Sequence, residues 1–212
     1  MNSKNQHKII RNIIFDLGGV ILNIDYYRTE KAFIDLGVVN FNQLFNQFHA
    51  DNFFKDFERG IVSPDQFIHK LQSYNHNLTK EQIIVAWNAM LLDFPVGRMD
   101  FLLGLKKRYR TFLLSNTNAV HHKAVQKIGL KLAGDTSSLD NCFEKAYYSY
   151  EVGFRKPDKE IFEYVISQNG LLPEETIFID DTLANVEAAN SLNIKGFYLD
   201  HPSTIEELLN DY

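Results

Sequence analysis

The segment Asn12-Ile13-Ile14-Phe15-Asp16-Leu17-Gly18-Gly19-Val20 is apolar or strand-compatible from Asn12 to Phe15, then stops at a carboxylate and a pair of glycines. A short apolar run closed by glycines predicts a buried strand that empties into a tight loop. A carboxylate at the end of such a strand stands where open α/β sheets place their ligands. The same segment does not read as a membrane span. Asp16 and the glycines interrupt it well short of the roughly 20 uncharged residues that a span requires. No small-residue cleavage site follows a charged start, so no secretory signal is expected.

Working outward, the pattern changes twice. From about Tyr26 to about Met90, apolar residues recur at helical spacing, as Phe45, Phe48, Phe53 and Phe57 do. Helical stretches are expected over Asn42 to Phe57 and Pro64 to Tyr74, with starts signalled at Ser63-Pro64 and at Thr79. After Pro95 the chain alternates. Helices are expected over Arg98 to Tyr109, Ala119 to Ile128, Pro157 to Gln168, Leu183 to Leu192 and Thr204 to Asn210. Strands are expected over Thr111 to Leu114, Ala146 to Ser149, Thr176 to Ile179 and Gly196 to Leu199. Strands alternating with helices predict a parallel sheet covered on both faces. The expected division is residues 1–24 and 93–212 for the α/β unit, with residues 25–92 as a helical insertion.

Composition narrows the function. The 212 residues allow one to two domains. With 22 Lys plus Arg against 27 Asp plus Glu, the net charge of −5 makes a nucleic-acid backbone a poor partner. Hydrophobic residues at 45% rule out a disordered chain. Cys142, the single cysteine, cannot close an intramolecular disulfide, which suggests a reducing, cytoplasmic location. No membrane partner is expected, and the protein is expected to be a monomer or homodimer.

Polar residues collect where the strands end: Asp16 after the first, Ser115 and Asn116 after the second, Asp180 and Asp181 after a later one, with Lys156 on a nearby loop. Carboxylates, a hydroxyl, an amide and a lysine suit phosphoryl chemistry. A carboxylate attacks phosphorus, Mg²⁺ bridges carboxylate and phosphate oxygens, and Lys, Ser and N–H groups hold the developing charge. Each group also has a plainer reading. Asp180 and Asp181 could cap the Leu183 helix, Ser115 and Asn116 could be turn residues, and Lys156 a solvated cation.

Phe15-Asp16-Leu17-Gly18-Gly19-Val20, Leu114-Ser115-Asn116-Thr117-Asn118, Arg155-Lys156-Pro157-Asp158 and Phe178-Ile179-Asp180-Asp181 fall in the order and spacing of four motifs. On them the chain resembles the haloacid dehalogenase (HAD) superfamily of hydrolases. Within it, the chain is similar to small-cap phosphatases that open on DLG-x-V, such as sugar 1-phosphatases and the N-terminal domains of epoxide hydrolases. The resemblance covers nearly the whole chain. It implies a HAD-like Rossmannoid three-layer α/β domain with a parallel sheet and an inserted helical cap over 25–92. It further implies Mg²⁺-dependent hydrolysis of a small phosphorylated metabolite, such as an aldose 1-phosphate, through an aspartyl phosphate on Asp16. By the same resemblance Asp16, the Gly18 carbonyl, Asp181 and Asp180 ligate the metal. Ser115, Asn116 and Lys156 bind phosphate, and Lys156 also neutralises Asp16.

One position departs from the pattern. Most phosphatases of this superfamily carry a second Asp two residues after the nucleophile, as general acid and base, and here that position is Gly18. Such assistance is worth typically 10²–10⁴-fold. Its absence favours a substrate whose leaving oxygen needs little protonation, or a replacement from the cap, with His49 and Glu58 as candidates. It also keeps open a metal-independent haloacid dehalogenase and a catalytically weak phosphate-binding regulator. The adjacent Asp180 and Asp181 argue against the dehalogenase, because they suit a metal. Within the cap, the Glu58-Arg59-Gly60 turn is the expected specificity loop, and His49 is a further specificity candidate.

Overall fold

A computed structural model describes residues 9–39, 41–45, 51–132 and 139–210, excepting the side chains of 130–132. Five strands form one parallel sheet: β1 (Asn12–Phe15), β2 (Arg110–Ser115), β3 (Lys145–Tyr148), β4 (Thr176–Asp180) and β5 (Lys195–Tyr198), in the order β3-β2-β1-β4-β5. The helices are α1 (Tyr26–Asp35), α2 (Asn52–Glu58), α3 (Pro64–Gln72), α4 (Lys80–Asn88), α5 (Arg98–Leu105), α6 (Ala119–Leu132), α7 (Ser149–Val152), α8 (Lys159–Asn169), α9 (Leu183–Asn190) and α10 (Ile205–Leu208). The central strand β1 is buried at every residue, as a sheet covered on both faces requires.

Side chains alternate across the sheet, and so does the core. Ile13, Phe15, Leu113, Ile177 and Ile179 pack on one face with Leu102 and Leu105 of α5, Val125 of α6 and Ile205 of α10. Ile14, Phe112, Leu114 and Phe178 pack on the other with Ile161, Phe162 and Val165 of α8 and Ala189 of α9. Arg98, buried at the start of α5, donates to the Val20 carbonyl and pairs with Glu206 at 3.0 Å. It thereby fixes the loop that follows Asp16.

Between β1 and α5 the chain builds a separate aromatic cluster. Phe33, Phe41, Phe54, Phe57, Phe67 and Trp87 pack together, with Phe57 stacked on Phe67 at 4.1 Å and Phe33 on Phe41 at 4.2 Å. Ser63 and Thr79 each close a capping box at the start of α3 and α4. The chain leaves and re-enters the sheet unit through a narrow neck. There Ile24 bridges Leu91 antiparallel, and the Asn23 amide donates to Asp93 at 2.7 Å.

Three sequence expectations are corrected. The helical pattern over Asn42 to Phe57 is not one helix: a 3₁₀ turn at Phe41–Gln43 and the separate α2 share it, because Asp51 caps a new start by accepting from the Phe54 N–H at 3.2 Å. The helix expected to reach Tyr109 ends at Leu105, and Lys106 turns away to donate to the carbonyls of Asn141 and Phe143. The strand expected over Ala146 to Ser149 ends at Tyr148, and Ser149 instead opens the short helix α7.

Candidate active site

Register assembles the site. Phe15 pairs with Leu113 on one side and Ile179 on the other, so the next row sets Asp16 between Leu114 and Asp180 at the carboxyl edge of the sheet. The Lys156 ammonium, 1% exposed, enters that row. It donates to Asp16 Oδ1 at 2.6 Å, to Asp180 Oδ2 at 2.6 Å and to the Leu114 carbonyl at 2.9 Å. All three Nζ protons therefore have acceptors, which a buried ammonium requires. Burial pulls the Lys156 pKa down, but Asp16 and Asp180 together hold it above the ordinary lysine value.

Asp181 completes a group of three carboxylates, Asp16, Asp180 and Asp181, each offering an oxygen within 4.8 Å of the others. Gly19 makes that approach possible. Its φ is +74°, and a Cβ there would overlap the Asp181 carboxylate. One ammonium leaves three clustered carboxylates undercompensated. Burial pushes Asp16 up to about 8, with Lys156 pulling it down and Asp180 and Asp181 adding to the rise. Burial and Asp180 push Asp181 up to about 6. A hard divalent cation, taking oxygen ligands, fits this charge and this donor set. Asp180 is the most committed of the three. It accepts from Lys156, from the Asn185 amide at 3.0 Å and from the Thr182 N–H at 2.8 Å, and is fully buried.

Ser115 is buried at the end of β2, one residue beyond the row. The Asn116 side chain is engaged elsewhere: its Nδ2 donates to the Lys156 carbonyl at 2.9 Å and its Oδ1 accepts from the Lys156 N–H at 2.8 Å. It holds the lysine's backbone, so any phosphate contact by Asn116 falls to its main-chain N–H. Gly18 lies against Ile24: a Cβ at position 18 would come within 2.9 Å of Ile24 Cδ1. An Asp at 18 would thus need Ile24 to move.

The two cap candidates that are described, Glu58 and Arg59, both meet the loop carrying Lys156. Glu58 Oε2 accepts from Arg155 Nε at 2.8 Å, and Arg59 Nη2 donates to Asp158 Oδ2 at 2.8 Å. Burial raises the Glu58 pKa against the pull of Arg155. His49 lies outside the described residues. Among the described residues no His or Cys joins a metal-ligating group. His121 has a different part: burial pushes it down to about 4, so it is neutral near pH 7. It stacks on Trp87 at 4.6 Å and shares hydrogen bonds with the Trp87 carbonyl and Asn118. That network ties α4 of the insertion to the loop after β2.

Sequence reasoning passed over the pairing of Arg155 with Glu58 and of Asp158 with Arg59. Both lie beside Lys156 in the chain, but their partners lie 97 and 99 residues away, and no local signal marks them.

The family model for haloacid dehalogenase-like hydrolases matches residues 10–193, and the chain belongs to that family of enzymes. Among characterised relatives, the D-ribitol-5-phosphate phosphatase of Bacteroides thetaiotaomicron is 34% identical over 191 residues, covering 89% of this chain and 91% of the relative. The sesquiterpene phosphatase AstK of Aspergillus oryzae is 29% identical, covering 92% of this chain and 93% of its own. Among solved structures, a HAD family enzyme from B. thetaiotaomicron, crystallised with magnesium and inorganic phosphate, superposes with a TM-score of 0.85 at 35% identity, covering 94% of this chain and 99% of that one.

Proposed function

We propose that the protein is a Mg²⁺-dependent phosphatase of small phosphomonoesters, with Asp16 as the nucleophile. The observation that carries this reading is the Lys156 ammonium held 2.6 Å from both Asp16 and Asp180, with Asp181 close enough to share one cation. The phosphatase relatives, and the magnesium and phosphate in the similar crystal structure, support it.

Asp16, Asp181 and Asp180, with the Gly18 carbonyl, would hold Mg²⁺. The ion would supply positive charge against the phosphate oxygens. Lys156 keeps one Asp16 oxygen oriented and offsets the repulsion between carboxylate and phosphate dianion. The other Asp16 oxygen forms the bond to phosphorus as the bond to the leaving oxygen breaks, and the leaving oxygen takes up a proton from water. The oxygen of a second water then bonds to phosphorus as the Asp16 oxygen–phosphorus bond breaks, which frees phosphate and the Asp16 carboxylate and returns a proton to solvent. Ser115 and the Asn116 N–H would receive the phosphoryl oxygens. Residues 25–92 would act as the cap that excludes bulk water.

The first substrate class is a sugar or sugar-alcohol phosphate, after the ribitol-phosphate relative. Gly18 favours a second reading within that class, an aldose 1-phosphate, whose anomeric oxygen leaves more easily without an acid. A panel of polyol 5-phosphates, aldose 1-phosphates, aldose 6-phosphates and nucleotides, with Mg²⁺ or EDTA, tests both. We expect Mg²⁺-dependent phosphate release by the wild type and none by Asp16→Asn. Release unaffected by Asp16→Asn refutes the nucleophile, and indifference to EDTA refutes the metal. Preference for 5- or 6-phosphates over 1-phosphates refutes the Gly18 argument.

A further inference from the structure

The Lys156 ammonium can meet its three acceptors only if its backbone is held still, yet it sits on the loop between α7 and α8. Three clamps grip that loop. Asn116 holds the Lys156 peptide groups at 2.9 and 2.8 Å. The other two come from consecutive residues at the C-terminal end of α2: Glu58 takes Arg155 and Arg59 takes Asp158, both at 2.8 Å. The residue before Lys156 and the second residue after it are thus both tied to the helical insertion.

The pairing is specific in sense, since the insertion presents a negative then a positive charge to a loop that presents a positive then a negative one. It is also close. Gly60, at φ +72°, lies so near the Tyr150 carbonyl that a Cβ would overlap it. The inner pair is the more sheltered, with side-chain exposures of 13% for Glu58 and 16% for Arg155, against 29% and 42% for Arg59 and Asp158. Sheltered pairs resist screening and are costly to break from one side, whereas exposed pairs contribute little.

We propose that Glu58 and Arg59 are positioning residues for Lys156: seating of the α2 turn on the Arg155–Asp158 loop completes the placement of the catalytic lysine. This rests on the phosphatase reading and adds to it. Glu58 and Arg59 then act on turnover rather than on substrate choice, and an unseated insertion leaves Asn116 as the one clamp of the three still on the Lys156 backbone.

The test compares wild type, Glu58→Gln, Arg59→Gln, the double variant carrying both, the single variants Glu58→Arg and Arg155→Glu, and the charge swap that combines these last two. Misplacing a reacting group by about 1 Å can cost about 10²-fold. Glu58→Gln should therefore lower kcat by about tenfold or more, with KM changed less than about threefold. Arg59→Gln should have a smaller effect in the same sense, and the charge swap should recover most of the loss seen with Glu58→Arg alone. Unchanged kcat, a rise confined to KM, or a swap no better than its single variants overturns the proposal.

A second readout does not depend on turnover or on the phosphatase reading. Acylation of Lys156 by an amine-directed reagent, followed by mass spectrometry on folded protein, should accelerate several-fold in the double variant. An unchanged labelling rate overturns the positioning role. Failure of the wild type to release phosphate from any substrate overturns the phosphatase reading instead.

Discussion

Without a metal, the acidic cluster makes the fold less stable as pH rises, and the effect can be sized. Asp16 is pushed up to about 8 in the folded protein, chiefly by burial, while an unfolded aspartate titrates near 4. Between those values the folded state keeps a proton that the unfolded state has released. Stability then falls with rising pH, by at most about 1.4 kcal/mol per pH unit, which is the reverse of the usual salt-bridged carboxylate. Other groups titrate in the same window. Asp181, pushed up to about 6, and Glu58, raised by burial, both add to the fall. His121, pushed down to about 4, opposes it, because the unfolded histidine holds a proton up to about 6.5. From about pH 6.5 to about pH 8 Asp181 and His121 contribute little, and Asp16 should remove roughly 2 kcal/mol. Mg²⁺ binds the ionised cluster and should cancel this loss, adding about 2.7 kcal/mol at a hundredfold excess over its Kd. Urea unfolding followed by circular dichroism, at matched ionic strength and with EDTA or Mg²⁺, measures each quantity. Asp16→Asn should flatten the metal-free slope. Stability in EDTA that is level or rising over this interval refutes the reasoning, as does an unchanged slope in Asp16→Asn.

Two further outcomes follow from packing. Gly19→Ala requires Asp181 to move and a positive φ to be kept by a residue with a Cβ, so Mg²⁺ affinity measured by calorimetry should fall at least about tenfold, with kcat/KM falling in parallel. Phe67→Ala empties a site between Phe57 and Trp87 and should cost about 3–5 kcal/mol, read from the urea midpoint of Trp87 fluorescence, this being the only tryptophan in the chain.

Much of this molecule is written locally. The five strands could be read because a parallel sheet covered on both faces demands short, nearly continuous apolar runs, and Asn12 to Phe15 is one. Asp16, Asp180 and Asp181 could be named because each directly follows or closes such a run, so strand boundaries alone carry them to one edge. The helix starts at Ser63 and Thr79 were visible for the same reason, since the groups each cap engages lie three residues away. The stretch Asn42 to Phe57 misled because its aromatic spacing reports a shared core as readily as a single helix.

Tertiary structure decided what distance hides. Strand order placed β1 between β2 and β4, and so made Lys156 the common partner of Asp16 and Asp180, 140 and 24 residues away along the chain. It turned the Asn116 side chain to the Lys156 backbone and set Ile24 against Gly18. It also joined Glu58 and Arg59 to the loop around Lys156. Periodicity records which side of an element is buried. Which charge meets which across the fold depends on three-dimensional register, and that arises only when the insertion and the sheet pack together.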